Sequence, residues 1–416
     1  MKICDIKPSV YDMARQAEAS VRAQFESIEH IAEMNTRKVM QAFQDNKVSE
    51  SCFAGTTGYG YDDLGREVLD KVYAQVFGAE RALVRIGFVN GTHALSCALF
   101  SMLKPGDTLL SATGLPYDTL RSAIGIEGDC HGSLRFYGIG YKQVDLLPDG
   151  RPDIDGIKSA CGDKSVTAVL IQRSRGYGDR PALSVSEIAE ICRAVKEINQ
   201  NISVMVDNCY GEFTEEHEPT EYGVDLIAGS LIKNPGGGLA PTGGYIAGRA
   251  ELIDRAAMRL TTPGIGGECG STLGNNRLLF QGFFMAPHTV SQALKTAVFC
   301  AAMMERAGFE TSPRPDETRH DIIQMITLRS AENMKKFCRG IQSGAPVDSY
   351  VTPEPWQMPG YSCPVIMAAG AFIQGSSIEL SADGPMREPY IAYMQGGLTY
   401  ESGKLGIMMA VSEMSD

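Results

Sequence analysis

Apolar positions along the first part of the chain recur at three- and four-residue steps. Val10, Met13, Ala17, Val21, Phe25, Ile28, Ala32 and Val39 carry this spacing. It predicts helix over residues 8–46, with Pro8 and Ser9 as start signals. A glycine- and aromatic-rich stretch, "SCFAGTTGYGYDDLGRE" (51–67), reads as an ordered loop. The pattern then changes. Short apolar runs at 82–88, 107–112, 165–172, 202–208, 225–231 and 243–248 alternate with amphipathic stretches at 66–78, 91–103 and 184–199. Strands of that length separated by helices predict an α/β fold, a mostly parallel central sheet with helices on both faces. A long helix is expected around 285–310. Residues 311–416 are richer in proline and are expected to hold strands near 364–373, 376–381 and 404–411. The division that follows is an N-terminal helical segment over 1–55, a large α/β domain over 56–290 and a small α+β domain over 291–416.

Composition narrows the function classes. A chain of 416 residues exceeds one ordinary core, in keeping with two domains. The net charge is −12, which argues against nucleic acid or an anionic membrane as the main partner. Eleven cysteines without a CxxC spacing read as reduced thiols, so a cytoplasmic location is expected. The start, "MKICDIKPSV", has no apolar signal-peptide region, and no apolar run is long enough to span a bilayer. Six dispersed histidines show no metal-binding spacing, so no metal site is expected.

The chemistry-bearing residues follow the strands. Lys233 lies between the apolar run "VDLIAGSLI" and a glycine cluster. Desolvated, such an amine can form a Schiff base with a carbonyl. Taken alone, it reads as a surface lysine at a strand end. Asp207, in "VMVDNCYGEF", ends a predicted central strand, at the sheet edge where ligands bind, and equally suits a turn cap. The two residues are 26 apart, each at the end of its own strand. A carboxylate for a protonated pyridine nitrogen and a lysine for an aldehyde are what pyridoxal phosphate (PLP) requires. "FVNGTHAL" (88–95) predicts a strand–turn–helix anion site built on Asn90, Gly91, Thr92 and His93, to which Ser230 can add a hydroxyl. Tyr117, after the strand "DTLLSA", is a stacking candidate or an ordinary half-buried loop tyrosine.

These motifs resemble fold-type I PLP-dependent enzymes of the cystathionine lyase and methionine γ-lyase branch. "GTTGYGYDDLGRE", "VNGTHAL", "IQRSRGY", "DNCYGEF", "GSLIKNPGGGLAPTGGYIAG" and "QGGLTYESGKLGIMMAV" together resemble the bacterial aluminium-resistance protein family, over about residues 50–411. The resemblance implies that Lys233 carries the cofactor and that Asp207 partners its ring nitrogen. Gly91, Thr92 and Ser230 become phosphate contacts and Tyr117 the stacking ring, with Tyr117 or one of Tyr59 and Tyr61 of a neighbouring subunit as the proton donor to the leaving group. Tyr59, Tyr61 and Arg66 become contacts made in trans, which implies a homodimer or homotetramer with shared active sites. The substrate implied is a sulfur-containing amino acid, cleaved by β- or γ-elimination. Arg387, Lys404 and Arg175 are the candidates for its carboxylate. Ile232 departs from the pattern, because the lyases carry a hydroxyl residue just before the lysine. "IQRSRGY" also departs, lacking their Asn-Pro. Another PLP-dependent reaction (aminotransferase, racemase or aldolase) and a non-catalytic protein of this fold are the alternative readings.

Overall fold

The computed structural model describes residues 2–128, 131–357 and 363–415, and element counts refer to these. The N-terminal periodicity is realised as α1 (Pro8–Ser20) and α2 (Arg22–Asp45), separated at Val21. After the loop, α3 (Leu64–Val76) starts at Asp63, whose carboxylate accepts the Arg66 N–H. The first sheet holds seven strands: β1 (Arg81–Arg85), β2 (Thr108–Ser111), β3 (Gly140–Gln143), β4 (Val166–Gln172), β5 (Ser203–Asp207), β6 (Leu226–Ser230) and β7 (Gly244–Gly248). Their order is β1-β7-β6-β5-β4-β2-β3. Only β7 runs against its neighbours, β1 and β6. The carboxyl ends of β1, β2, β4, β5 and β6 therefore share one edge, where loops meet ligands.

Helices α4 (Gly91–Met102), α5 (Asp118–Ile124), α6 (Ile154–Cys161), α7 (Val185–Ile198) and α8 (Ala250–Leu260) complete this layered unit. Successive strand residues face opposite sides, as a pleat requires. Leu83, Leu109, Ala168 and Leu170 pack with α4, α5 and α8. Val84, Leu110, Val169 and Ile171 pack with α3, α6 and α7.

The expected long helix is α9 (Asn276–Arg306), so the boundary expected at 290 lies inside it. It packs against α1 and α2 and leads to a second, antiparallel sheet. That sheet holds β8 (Glu310–Ser312), β9 (Ile323–Thr327), β10 (Val365–Ala369), β11 (Ser381–Pro385) and β12 (Ile391–Gln395), with helix α10 (Ala331–Ser343). Two expectations fail here. Residues 376–380 form loop rather than strand, and 404–411 lie within the last helix, α11 (Tyr400–Met414). The apolar run there was too short to distinguish the two states by period. Thr399 decides it by capping the helix, its hydroxyl accepting the Ser402 N–H at 3.3 Å. Among the described residues, no helix is long and apolar enough to cross a membrane.

Candidate active site

Five chain segments converge at the shared carboxyl edge. Asp207 ends β5, Ser230 ends β6, and Lys233 follows three residues later. The β1–α4 turn brings Gly91 and Thr92, and the β2–α5 loop brings Tyr117. Gln172 arrives from the end of β4. Together they line a cavity of about 200 Å³. A methyl group at Gly91 would sit only 3.1 Å from the Ser230 Cβ, so the helix start lies directly on β6. Glycine there permits the close approach.

The Lys233 amine is buried 4.0 Å above the Tyr210 ring. Burial works against its charge, but Cys209, Tyr210, Asp207 and Tyr117 around it outweigh that cost and hold it well above the ordinary lysine value. Tyr210 occupies the left-handed region (φ +73°), a costly conformation for an aromatic residue. That strained turn places its ring under the amine. Asp207 is 7% exposed; burial raises its carboxyl, partly offset by Lys233 and by the Cys209 N–H that donates to it at 3.2 Å. Behind this floor, Glu212 is fully buried and accepts the Tyr245 hydroxyl at 2.8 Å. Burial pushes its carboxyl up to about 8.

A larger cavity of about 540 Å³ adjoins the first, sharing Tyr117 and Gln172. Arg121, Arg175, Arg180 and Arg387 line it. Arg387 comes from the segment after β11, and Arg175 donates to the Ser312 carbonyl and hydroxyl, both at 3.1 Å. Two of the three carboxylate candidates thus face one space beside Lys233.

Other candidates lie elsewhere. Lys404 pairs with Glu18 at 2.6 Å and lies against the rings of Phe299 and Tyr400, so it is held by α1 and α9. It lies in α11 rather than in a strand and is committed to Glu18, so it is not a group for the substrate carboxylate. His93 does not line the Lys233 cavity. Its backbone N–H donates to the capping Asn90 at 2.9 Å and its Nδ1 accepts from Val89 N at 3.2 Å. Burial and the nearby Arg259 lower its pKa. Arg66 is 2% exposed and donates to the carbonyls of Gly60, Gly270 and Glu268, so it braces the loop instead of presenting a free cation. Tyr59 and Tyr61 stack on each other, ring centres 5.7 Å apart, exposed and away from Lys233 of their own chain.

Sequence reasoning left Gln172 without a role and missed Thr119, Cys209 and Tyr210 at the cavity. Thr119 shares a hydrogen bond with Thr92 at 2.7 Å, and the Gln172 side chain accepts the Tyr117 N–H at 2.8 Å. Cys209 and Tyr210 line the floor. Their position just after β5 was the available signal. Among the described residues, no group of three or more His, Cys, Asp or Glu is arranged to hold a metal ion.

The geometry agrees with known proteins. The family model described as methionine gamma-lyase matches residues 10–415. This chain belongs to that family. A carbon-sulfur lyase involved in aluminum resistance from Clostridium novyi is 53% identical, with a TM-score of 0.95, over 98% of this chain and 96% of that one. Uncharacterized protein YnbB of Bacillus subtilis is 52% identical over 96% of this chain and 95% of its own length. The fold alone is shared with the pyridoxal-5'-phosphate dependent protein YhfS of Escherichia coli, at 17% identity and a TM-score of 0.62, over 91% and 94% of the two chains. The fold is that of the fold-type I PLP-dependent enzymes.

Proposed function

We propose that the protein is a PLP-dependent carbon–sulfur lyase acting on a sulfur-containing amino acid. The observation that carries this is the buried Lys233 amine beside the buried Asp207 carboxylate, at one sheet edge and next to the start of α4. The residues present fit the cofactor. Lys233 would hold its aldehyde and Asp207 its ring nitrogen. The N–H groups at Gly91 and Thr92, with the Ser230 hydroxyl, would hold its phosphate. Ile232 lines the cavity where a hydroxyl stands in other lyases, and Thr119 offers one from a different direction. When bound, PLP supplies an electron sink for the bonds at the substrate Cα.

The remaining chemistry belongs to the chain. The Lys233 Nζ is the base that moves the substrate Cα proton. Asp207 would stand opposite the ring nitrogen; burial works against its negative charge, and Lys233 and the Cys209 N–H favour it. The Tyr117 ring closes the cavity above the Tyr210 floor. Arg387 and Arg175 are the groups for the substrate carboxylate, and a guanidinium suits its two oxygens. Purified protein given an S-alkyl amino acid is expected to release thiol and keto acid in equal amounts without an acceptor. Keto acid that appears only with an acceptor would indicate an aminotransferase instead.

A further inference from the structure

Tyr177 follows β4 within "QRSRGYGD" and lines the 540 Å³ cavity. It is clamped from the second sheet. The Tyr393 hydroxyl donates to the Tyr177 carbonyl at 2.8 Å, and the two rings meet edge to face at 5.2 Å. Asp383 lies opposite Tyr393 in the β11–β12 register, and its carboxyl is hydrogen-bonded to the Tyr177 side chain. Pro385, two residues on and therefore on the same strand face, lines the cavity itself. Asp383 is 5% exposed, and its Oδ1 has no hydrogen-bond partner among the described residues. On the other side, the Tyr177 and Tyr117 ring centres are 6.4 Å apart. Gly176 (φ +57°) lets the loop lie there, since a methyl group at that position would press on Tyr117 and Gln172.

We propose that Tyr177 donates the proton to the departing sulfur, and that Asp383 is a positioning residue acting through it. This rests on the lyase reading above. As the C–S bond breaks, sulfur keeps the electron pair and takes the Tyr177 hydroxyl proton. The Tyr177 oxygen takes the Asp383 proton, and the carboxylate left behind recovers one from solvent before the next turnover. Two features fit this role. Tyr177 lines the cavity that adjoins the Lys233 cavity, next to Tyr117, which lines both. The partner of the Tyr177 hydroxyl is a carboxyl that burial pushes up to about 7, so it exchanges its proton around neutral pH.

The direction of the pH effect follows. A protonated Asp383 donates to the Tyr177 oxygen and leaves the hydroxyl hydrogen free for the cavity. An ionised Asp383 accepts that hydrogen and withdraws it. Thiol release should therefore fall as pH rises through neutrality. The titratable and charged groups around the pair are Cys338 on α10, Tyr393 on β12, and Arg175, Asp179 and Arg387, which act on Tyr393.

The test compares two S-substituted cysteines on the holoenzyme, one releasing an alkyl thiol and one a far more acidic aryl thiol. Tyr177→Phe should lower alkyl-thiol release about 100-fold and leave aryl-thiol release within about threefold, because only the poor leaving group needs the acid. Asp383→Asn should flatten the alkaline decline seen with the alkyl substrate. Infrared difference spectra across pH should show a protonated carboxyl band in the wild type that is missing from Asp383→Asn. Equal loss with both substrates in Tyr177→Phe, no loss with either, or no such band would overturn the proposal. No thiol from the wild type with either substrate would instead overturn the lyase reading itself.

Discussion

The Lys233 amine is buried, yet its neighbours keep it charged. Cys209, Tyr210, Asp207 and Tyr117 around it offset the cost of that burial. Asp207→Asn removes the carboxylate and keeps the shape. Thiol release is expected to fall roughly 10²-fold or more, with the folded structure retained; an unchanged rate would remove Asp207 from the site. Glu212 gives a second prediction at this scale. Its carboxyl is raised to about 8 in the fold against 4.5 for the ordinary value. The native state therefore binds more protons than the unfolded state between those values, and stability falls as pH rises through that window. Glu212→Gln removes this contribution. Denaturant unfolding from pH 5 to 8 should show a shallower decline than in the wild type, and equal slopes would contradict the account. The convergence of Lys233, Asp207, Gly91, Thr92, Ser230 and Tyr117 on one cavity was legible because each follows a strand end or turn in an order that made the set stronger than any member alone. Cys209 and Tyr210 were not, because their role depends on a left-handed turn that composition does not reveal.

The start of α4 serves both stability and binding. Asn90 caps it by accepting the His93 N–H, and the same turn holds Gly91 against Ser230. Asn90→Ala should cost about 1 kcal/mol of stability. It should also weaken PLP retention, measured by dialysis against free buffer. Loss of stability with full retention would separate the cap from the anion site. The α/β alternation was readable because each strand is a short apolar run bounded by turns. The strand β3 escaped notice because its four residues, Gly140–Gln143, are mostly polar at the sheet edge. The second sheet was harder to place. Its strands are five residues or fewer, and Ser381–Pro385 carries Asp, Gly and Pro, which strands disfavour. That strand also carries Asp383, so the element hardest to read holds the residue proposed to position Tyr177.

Across the whole molecule, two sheets share one working space. The first supplies Lys233 and Asp207, and the second brings Pro385 and the following Arg387 to the adjoining cavity, with Asp383 buried behind them. Tyr59 and Tyr61 belong to neither surface within one chain, and they are exposed and stacked. We propose that they contribute to a neighbouring subunit's site. Mixing an inactive Lys233→Ala protein with an inactive Tyr59→Ala/Tyr61→Ala protein should then restore activity, as hybrid oligomers rebuild one intact site. No recovery after subunit exchange, verified by mass, would exclude shared sites. The central claim is that Lys233 carries PLP, and reductive trapping tests it most directly. Borohydride reduction of the PLP-reconstituted protein followed by peptide mass mapping should find the cofactor mass on the Lys233 peptide alone. A reconstituted protein that yields no such adduct, or yields it on another lysine, would contradict the account.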